Sequence, residues 1–427
     1  MPFPARPFVS FVLATFNRGP ILLDCLQKTL AAAQSSLGPD HFNISIVDNA
    51  STDQTPALLQ SFTAHHPQIK YLRLPKNCGP VAKNAALHNN SADLIVLLDD
   101  DAYPLPGSLP QMVRHFQDDP HLGAAVFDVT LPDGRKEASA YPDVCIGAGT
   151  ALRGPALRSL KNVRPGRGLL PADFFMQAEE YDLSFRLLAH GWSVQRFWDM
   201  PLLHLKSPGA RITTRTTLLD VRNNLWLLAR YLPQPLCEQL AADWLARYWR
   251  MAIRRDAESS GSQHRAAFLR GAAAGFAHFA EQRGPGELLL AEDTLEKIFK
   301  FTAIRNRLAH AQAHHGLRRI ALGDWGKNVH AYYQAARDLN LEITAVIDGN
   351  LSGPNVEYHD IPVIPESTFR DQFQPTTDAV IITAMSRVHA QRRAAELRRT
   401  LHLPILDLFS PATSVRPTVE ASALVAS

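Results

Sequence analysis

Three consecutive aspartates, Asp99-Asp100-Asp101, stand directly behind the apolar run Leu94-Ile95-Val96-Leu97-Leu98. The run reads as a strand buried on both faces, and the carboxyl end of such a strand is where an open α/β sheet places its ligand. Adjacent carboxylates repel one another, and a hard divalent cation such as Mg²⁺ or Mn²⁺, which prefers oxygen ligands, relieves that repulsion. A solvated acidic turn is the alternative. A second acidic group, Glu179-Glu180-Tyr181-Asp182, opens a segment read as a helix over 178–190. Tyr181, Phe185 and Leu188 share one face and Gly191 is placed as a left-handed stop. Asp182 precedes Arg186 by four residues, the favourable order for an intrahelical pair worth about 0.2–0.5 kcal/mol. Glu180 has Ser184 at that spacing and no cation, so its carboxylate stays available to take a proton.

The elements around these groups alternate. Phe8–Ala14 reads as a strand broken by Thr15-Phe16-Asn17-Arg18-Gly19, and Pro20 suits the first turn of the helix that follows. Strands are predicted over 44–47 and 69–74; the first of these ends in Asp48-Asn49-Ala50-Ser51-Thr52-Asp53, a run of turn formers and caps in which Asp53 needs no ligand. A short helix after Asn77-Cys78-Gly79-Pro80 leads into the Leu94 strand. Strand–helix alternation predicts a mostly parallel sheet with right-handed crossovers. Thr15, Asp48 and Asp99 would then converge on one edge.

The ordered series VSFVLATFNR, VDNASTDQT, NCGPVAKNAAL, LIVLLDDDA, AEEYDLSFRLLAHGW and LLHL resembles the family 2 glycosyltransferases over about residues 8–210. Within that family the branch transferring rhamnose or galactofuranose in bacterial envelope polysaccharides is the most similar. The resemblance implies an A-type nucleotide-binding fold, inversion at the anomeric carbon, and a UDP- or dTDP-sugar donor. It places Thr15, Asn17 and Arg18 in the donor loop, Asp48 at the uracil or thymine edge, and Lys83 where the family usually carries arginine. Lysine there meets phosphate as a point charge without the bidentate fork. It assigns Asp99 and Asp100 to the donor, with Asp99, Asp101 and His204 as ligands of Mg²⁺ or Mn²⁺. A packed core histidine is the other reading of His204. Glu180 falls at the position of the general base, with Asp182 and Glu179 as alternatives. The loop Gly147-Ala148-Gly149-Thr150, with Arg153, matches the acceptor side.

A net charge of +3 is too near balance to argue for nucleic acid, and four scattered cysteines indicate neither a zinc site nor a disulfide framework. No apolar stretch is long enough to span a bilayer and the start of the chain reads as no signal peptide, which points to the cytoplasm. The expected organisation is a catalytic domain over 1–212, a helical region over 213–315, a Rossmann-like domain over 316–410 and a disordered tail over 411–427. Helices are predicted at 218–232, 236–253, 265–280 and 287–310. The second mixes Trp244, Tyr248 and Trp249 with Arg247, Arg250, Arg254 and Arg255; it would either lie on an anionic membrane surface or pack on the catalytic domain. In the last unit, the turn Gly323-Asp324-Trp325-Gly326-Lys327-Asn328 has Trp325 and Asn328 where a dinucleotide fingerprint has glycines, which argues against ordinary dinucleotide binding. The acceptor implied is a glycan or lipid-linked hydroxyl. A sugar nucleotidyltransferase, which needs a Gly-rich phosphate loop that ATFNRG does not supply, and a non-catalytic nucleotide-sugar binder are the alternatives.

Overall fold

A computed structural model describes residues 3–160, 168–206, 213–283 and 289–409; the predicted tail lies outside them. The α/β class, the helical middle and a second, smaller sheet are all present, as expected.

Eight strands build the first sheet: β1 (Val9–Thr15), β2 (Phe42–Asp48), β3 (Ile69–Arg73), β4 (Leu94–Asp99), β5 (Ala102–Pro104), β6 (Leu122–Thr130), β7 (Gly149–Arg153) and β8 (Ser193–His204). Their order is β3-β2-β1-β4-β7-β6-β8-β5. The first four run parallel. The two central ones, β1 and β4, are buried along almost their whole length, as strands covered on both faces are, whereas the edge strand β3 is largely exposed. β7 runs antiparallel between β4 and β6, so the beginning of β7, not its end, lies beside the aspartates. β8 is twelve residues long and carries His204 at its last position.

The second sheet comprises β9 (Arg319–Leu322), β10 (Glu342–Ile347), β11 (Glu357–Tyr358), β12 (Ile361–Ile364), β13 (Ala379–Ile381) and β14 (Ile405–Leu406), in the order β11-β12-β10-β9-β13-β14. All pairings are parallel except the β11 edge. Its first turn is filled by protein. Trp325 is buried against Tyr358, and its backbone N–H donates to Asp348 at 3.1 Å. The other Asp348 oxygen accepts from the N–H groups of Asn350 and Leu351.

Between the sheets the helices Thr214–Tyr231, Gln234–Glu258 and Gln263–Ala277 pack together. The helix predicted over 287–310 is two, Glu292–Phe299 and Phe301–His315, because Lys300 is left-handed (φ 55°) and the Glu296 carboxylate caps the N–H groups of Thr302 and Ala303. The basic, tryptophan-bearing helix is covered. Trp244 and Tyr248 are buried, while Arg247 and Arg250 donate to the carbonyls of Trp325 and of Leu351 and Ser352. The face read as a membrane-surface candidate is thus spent on the second α/β unit. No helix among the described residues is long and apolar enough to cross a membrane.

One contact binds all three regions. Lys327 Nζ lies 4.8, 4.6 and 5.8 Å from the ring centroids of Tyr181, Trp244 and Tyr248 and donates to Asn224 Oδ1 at 2.8 Å. Burial pushes this ammonium down to about 8, against the opposing pull of the Asp220 charge. One apolar core accordingly runs from Ile95 through Trp244 to Ile381.

Candidate active site

The strand ends enclose a cavity of about 820 Å³, lined among others by Thr15, Arg18, Lys83, the Asp99–Asp101 triplet, Gly147, Glu179, Glu180 and His204. Residues scattered over nearly two hundred positions meet here because β1, β4 and β8 all end at this edge and β7 begins at it.

The triplet is divided by its neighbours. Asp99 accepts from Lys83 Nζ at 3.2 Å, and Lys83 is itself buried. Asp100 accepts from Thr15 Oγ1 at 2.8 Å, and burial pushes its carboxyl up to about 6. Asp101, almost fully buried, meets Arg18 Nη1 and His204 Nε2, both at 3.1 Å. The other imidazole nitrogen of His204 is held by Glu137 Oε2 at 2.7 Å. Burial opposes charge on this imidazole, but the two carboxylate hydrogen bonds win and push it up to about 9. Burial likewise opposes charge on Glu137, yet His204 and Lys206 pull its carboxyl down to about 2.

Asp99, Asp101 and His204 offer one ligand atom each, all within 4.8 Å of one another. Two hard oxygens and an imidazole nitrogen suit Mg²⁺ or Mn²⁺. A carboxylate on the far nitrogen is the usual device for orienting a ligating histidine. The residues therefore fit a divalent cation.

Opposite the triplet, the helix Glu179–Ala189 presents its first turn. A Cβ added at Gly147 would stand 2.8 Å from Glu180 Oε1 and 3.9 Å from Asp99 Oδ1. A side chain at Gly147 would crowd the Glu180 carboxylate and force it to shift, while Asp99 stands at ordinary contact distance. Burial raises the carboxyl of Glu180, and the charge of Asp99 adds to it. Burial raises that of Glu179 further, and its Oε2 has no hydrogen-bond partner.

The lead-in to this helix is strained. Phe175, Gln177 and Ala178 have φ of 64°, 72° and 68°, a region costly for side chains other than glycine. The Asn223 amide pins the segment by donating to the carbonyls of Phe174 (3.0 Å), Met176 (2.7 Å) and Gln177 (2.9 Å). From the other side Gly79 (φ +73°) presses on it: a Cβ there would lie 2.3 Å from the Phe175 carbonyl oxygen.

Several residues expected at the site are elsewhere. Arg153 closes β7 opposite Leu94, at the far edge of the sheet; it is buried and donates to the carbonyls of Phe116, Asp119 and Leu122. It is no part of the acceptor side. Gly149 is inside the sheet, where a Cβ would meet Leu202 at 2.7 Å; of the loop, Gly147 and Ala148 face the cavity. Asn17 ties two loops together through Ser51 and Thr52, and Asp48 binds the Ser51 N–H and the Tyr71 hydroxyl. Neither lines the cavity, whereas Asn49 does.

Asp182 is corrected most. It is buried and accepts from Arg186 (2.7 Å), Arg230 (3.3 Å) and the Tyr231 hydroxyl (2.7 Å), on the core side of its helix. This removes it as a base and changes its weight in stability. Breaking a buried ion-pair network costs about 3–5 kcal/mol, not the few tenths expected of an exposed helical pair. Asp182→Asn should therefore move the urea midpoint strongly; a loss below about 1 kcal/mol, the scale of exposed pairs, would contradict the buried network.

Glu137 and Asn223 are the contributors that sequence reasoning missed as site residues. Glu137 lies in a loop with no motif. Asn223 lies in the middle of a helix, and its role appears only in the carbonyls it holds.

Residues 10–142 match the family model described as glycosyl transferase family 2. That segment of the chain is similar to the family 2 glycosyltransferases. An uncharacterized glycosyltransferase, YwdF of Bacillus subtilis, is 32% identical over 112 residues, 26% of this chain and 38% of that protein. The dolichyl-phosphate beta-glucosyltransferase ALG5C of Trichomonas vaginalis is 28% identical over 102 residues, covering 23% and 30%. The chain thus spans about a third of the length of these curated relatives. Among solved structures, S. aureus TarS 1-349 in complex with UDP-GlcNAc aligns with a TM-score of 0.47 at 15% identity, over 82% of this chain and 98% of that one. The matched family 2 segment holds the triplet and ends before Glu180 and His204.

Proposed function

We propose that this protein is a metal-dependent, inverting glycosyltransferase. It moves a sugar from a UDP- or dTDP-sugar to a hydroxyl of a glycan or lipid-linked acceptor in bacterial envelope polysaccharide synthesis, at the cytoplasmic side. The single observation that carries this reading is the meeting of Glu180 with the Asp99–Asp101 triplet across Gly147 in one cavity. The family 2 match supports it.

Each residue has a task in that reaction. Lys83 and Arg18 bring positive charge to the cavity wall where a diphosphate would lie. Thr15 and Asp100 close the donor side. Asp99, Asp101 and His204 would hold Mg²⁺ or Mn²⁺, which supplies counter-charge to the departing nucleoside diphosphate. Glu180, facing the cavity from a helix N-terminus, takes the proton of the acceptor hydroxyl. With that proton on Glu180 Oε1, the acceptor oxygen attacks the anomeric carbon from the side opposite the leaving oxygen, and configuration inverts. Gly147 keeps the path between base and donor open.

The test is incubation of the purified chain with a panel of UDP- and dTDP-sugars and Mn²⁺, following release of the nucleoside diphosphate. The expected result is slow hydrolysis of one donor class, dependent on the cation. Release of pyrophosphate from a sugar phosphate and a nucleoside triphosphate would instead establish a nucleotidyltransferase.

A further inference from the structure

Next to the main cavity lies a second cleft of about 480 Å³. Its walls come from both ends of the chain: Arg196 and Trp198 of β8, and Ser386 and Arg387 of the second α/β unit. Ala138, Ser139 and Ile146 line both spaces, so the cleft adjoins the proposed site of transfer.

Trp198 is 44% exposed. Its position follows from an irregularity in β8. Val126 pairs with Arg196 and Asp128 with Pro201, so Phe127 alone faces the four residues 197–200. The surplus chain bulges. Phe197 turns back to stack on His115 at 3.8 Å, while Trp198 points out. Its ring is flanked by the guanidinium of Arg196 at 4.6 Å and that of Arg387 at 5.3 Å. An open indole between two cations is not core packing; it offers an apolar face and two anion-binding groups to a ligand.

The charge balance of the cleft is positive. Arg196 is anchored by donating to the Glu137 carbonyl (2.7 Å) and to Asp128 (3.0 Å), and its buried Nε has no hydrogen-bond partner. The acidic neighbours are already paired: Asp128 also meets Lys136, and Asp143 meets Lys300 at 2.7 Å. Burial pulls His389 down to about 4, and Arg392 and Arg196 add to the effect, so it brings no charge of its own near neutrality. The helix Arg387–Arg398 starts at this wall with no side-chain cap from Ser386, which adds the positive end of its dipole.

We infer that this cleft is the acceptor subsite and that it takes an anionic saccharide. A sugar ring lies against Trp198, and its carboxylate or phosphate meets Arg387 and Arg196. The inference rests on the glycosyltransferase reading and gives the second α/β unit a part in it: without Arg387 the subsite has only one of its two flanking cations.

The experiment is calorimetric titration of the full chain with tetragalacturonate, glucose 6-phosphate and neutral galactotetraose. At least one anionic ligand should bind, at least tenfold tighter than the neutral one, and the tighter of the two identifies carboxylate or phosphate as the anion. Trp198→Ala and Arg387→Glu should each weaken that binding tenfold or more without lowering the thermal midpoint. Equal affinity for galactotetraose, indifference to both substitutions, or no anion binding at ~1 mM, the weak end of specific recognition, would overturn the inference. A separate titration with UDP and Mn²⁺ distinguishes the two readings. Saccharide binding without UDP binding keeps the cleft and removes the donor reading, and UDP binding without saccharide binding does the reverse.

Discussion

Glu180→Gln should reduce turnover by about 10²-fold or more, the usual cost of losing a general base, while UDP affinity in the presence of Mn²⁺ stays close to that of the parent. Glutamine preserves shape and hydrogen bonding and removes basicity alone. Two further readouts make the assignment specific. Burial and the charge of Asp99 raise the Glu180 carboxyl, and the active form is the ionised one. Activity should therefore fall as pH drops through a value above the ordinary glutamate pKa of about 4.3, and Glu180→Gln should lose this acid limb. Asp100, pushed up to about 6 by burial, is the control: Asp100→Asn should keep the limb that belongs to Glu180. Full turnover in Glu180→Gln, or the same loss in Glu179→Gln with Glu180 spared, would move the base by one residue.

The second large effect is expected at Asp101. Its two oxygens face His204 and Arg18 at 3.1 Å, and it is almost fully buried. Asp101→Asn keeps the volume and removes the charge that both the cation and the imidazole require. The kcat/KM for donor should fall by about 10²-fold or more, as for loss of an electrostatic element aimed at the leaving group. Chelator should weaken UDP binding in the parent and change little in the variant, because the variant has already lost what the cation supplies. Undiminished transfer by the parent in excess chelator would remove the metal from the scheme.

Much of the placement was legible because strand ends are legible. An apolar run followed by Asp99-Asp100-Asp101 marks both an element and the edge at which it stops. The same logic holds for Thr15 at the end of β1 and Glu180 at the start of its helix. What failed was direction and depth. Nothing in Gly147–Arg153 says that β7 runs against its neighbours, so Arg153 was carried to the wrong edge. Asp182 at four residues from Arg186 looks the same whether a helix face meets water or, as here, Arg230 and Tyr231. Asp48 and Asn17 are polar residues at the right edge whose hydrogen bonds are consumed by the turns they build. Glu137 and Asn223 act on residues 67 and about 45–50 positions away, and local spacing holds no trace of such pairings.

The grip of Asn223 on the 174–177 carbonyls has a bearing on how this chain can be recombined. The segment that aims Glu180 is shaped by an amide from the helical region, not from the sheet that carries the triplet. A crossover placed between residues 206 and 213, the natural seam by sequence similarity, would hand the catalytic sheet a foreign helix and release three left-handed residues from their clamp. The sheet would inherit its aspartates intact and lose the aim of Glu180, the proposed base. The heritable unit of this active site is larger than the domain that bears its motifs, and chimaeras between relatives should be cut after Tyr231 rather than before Thr214.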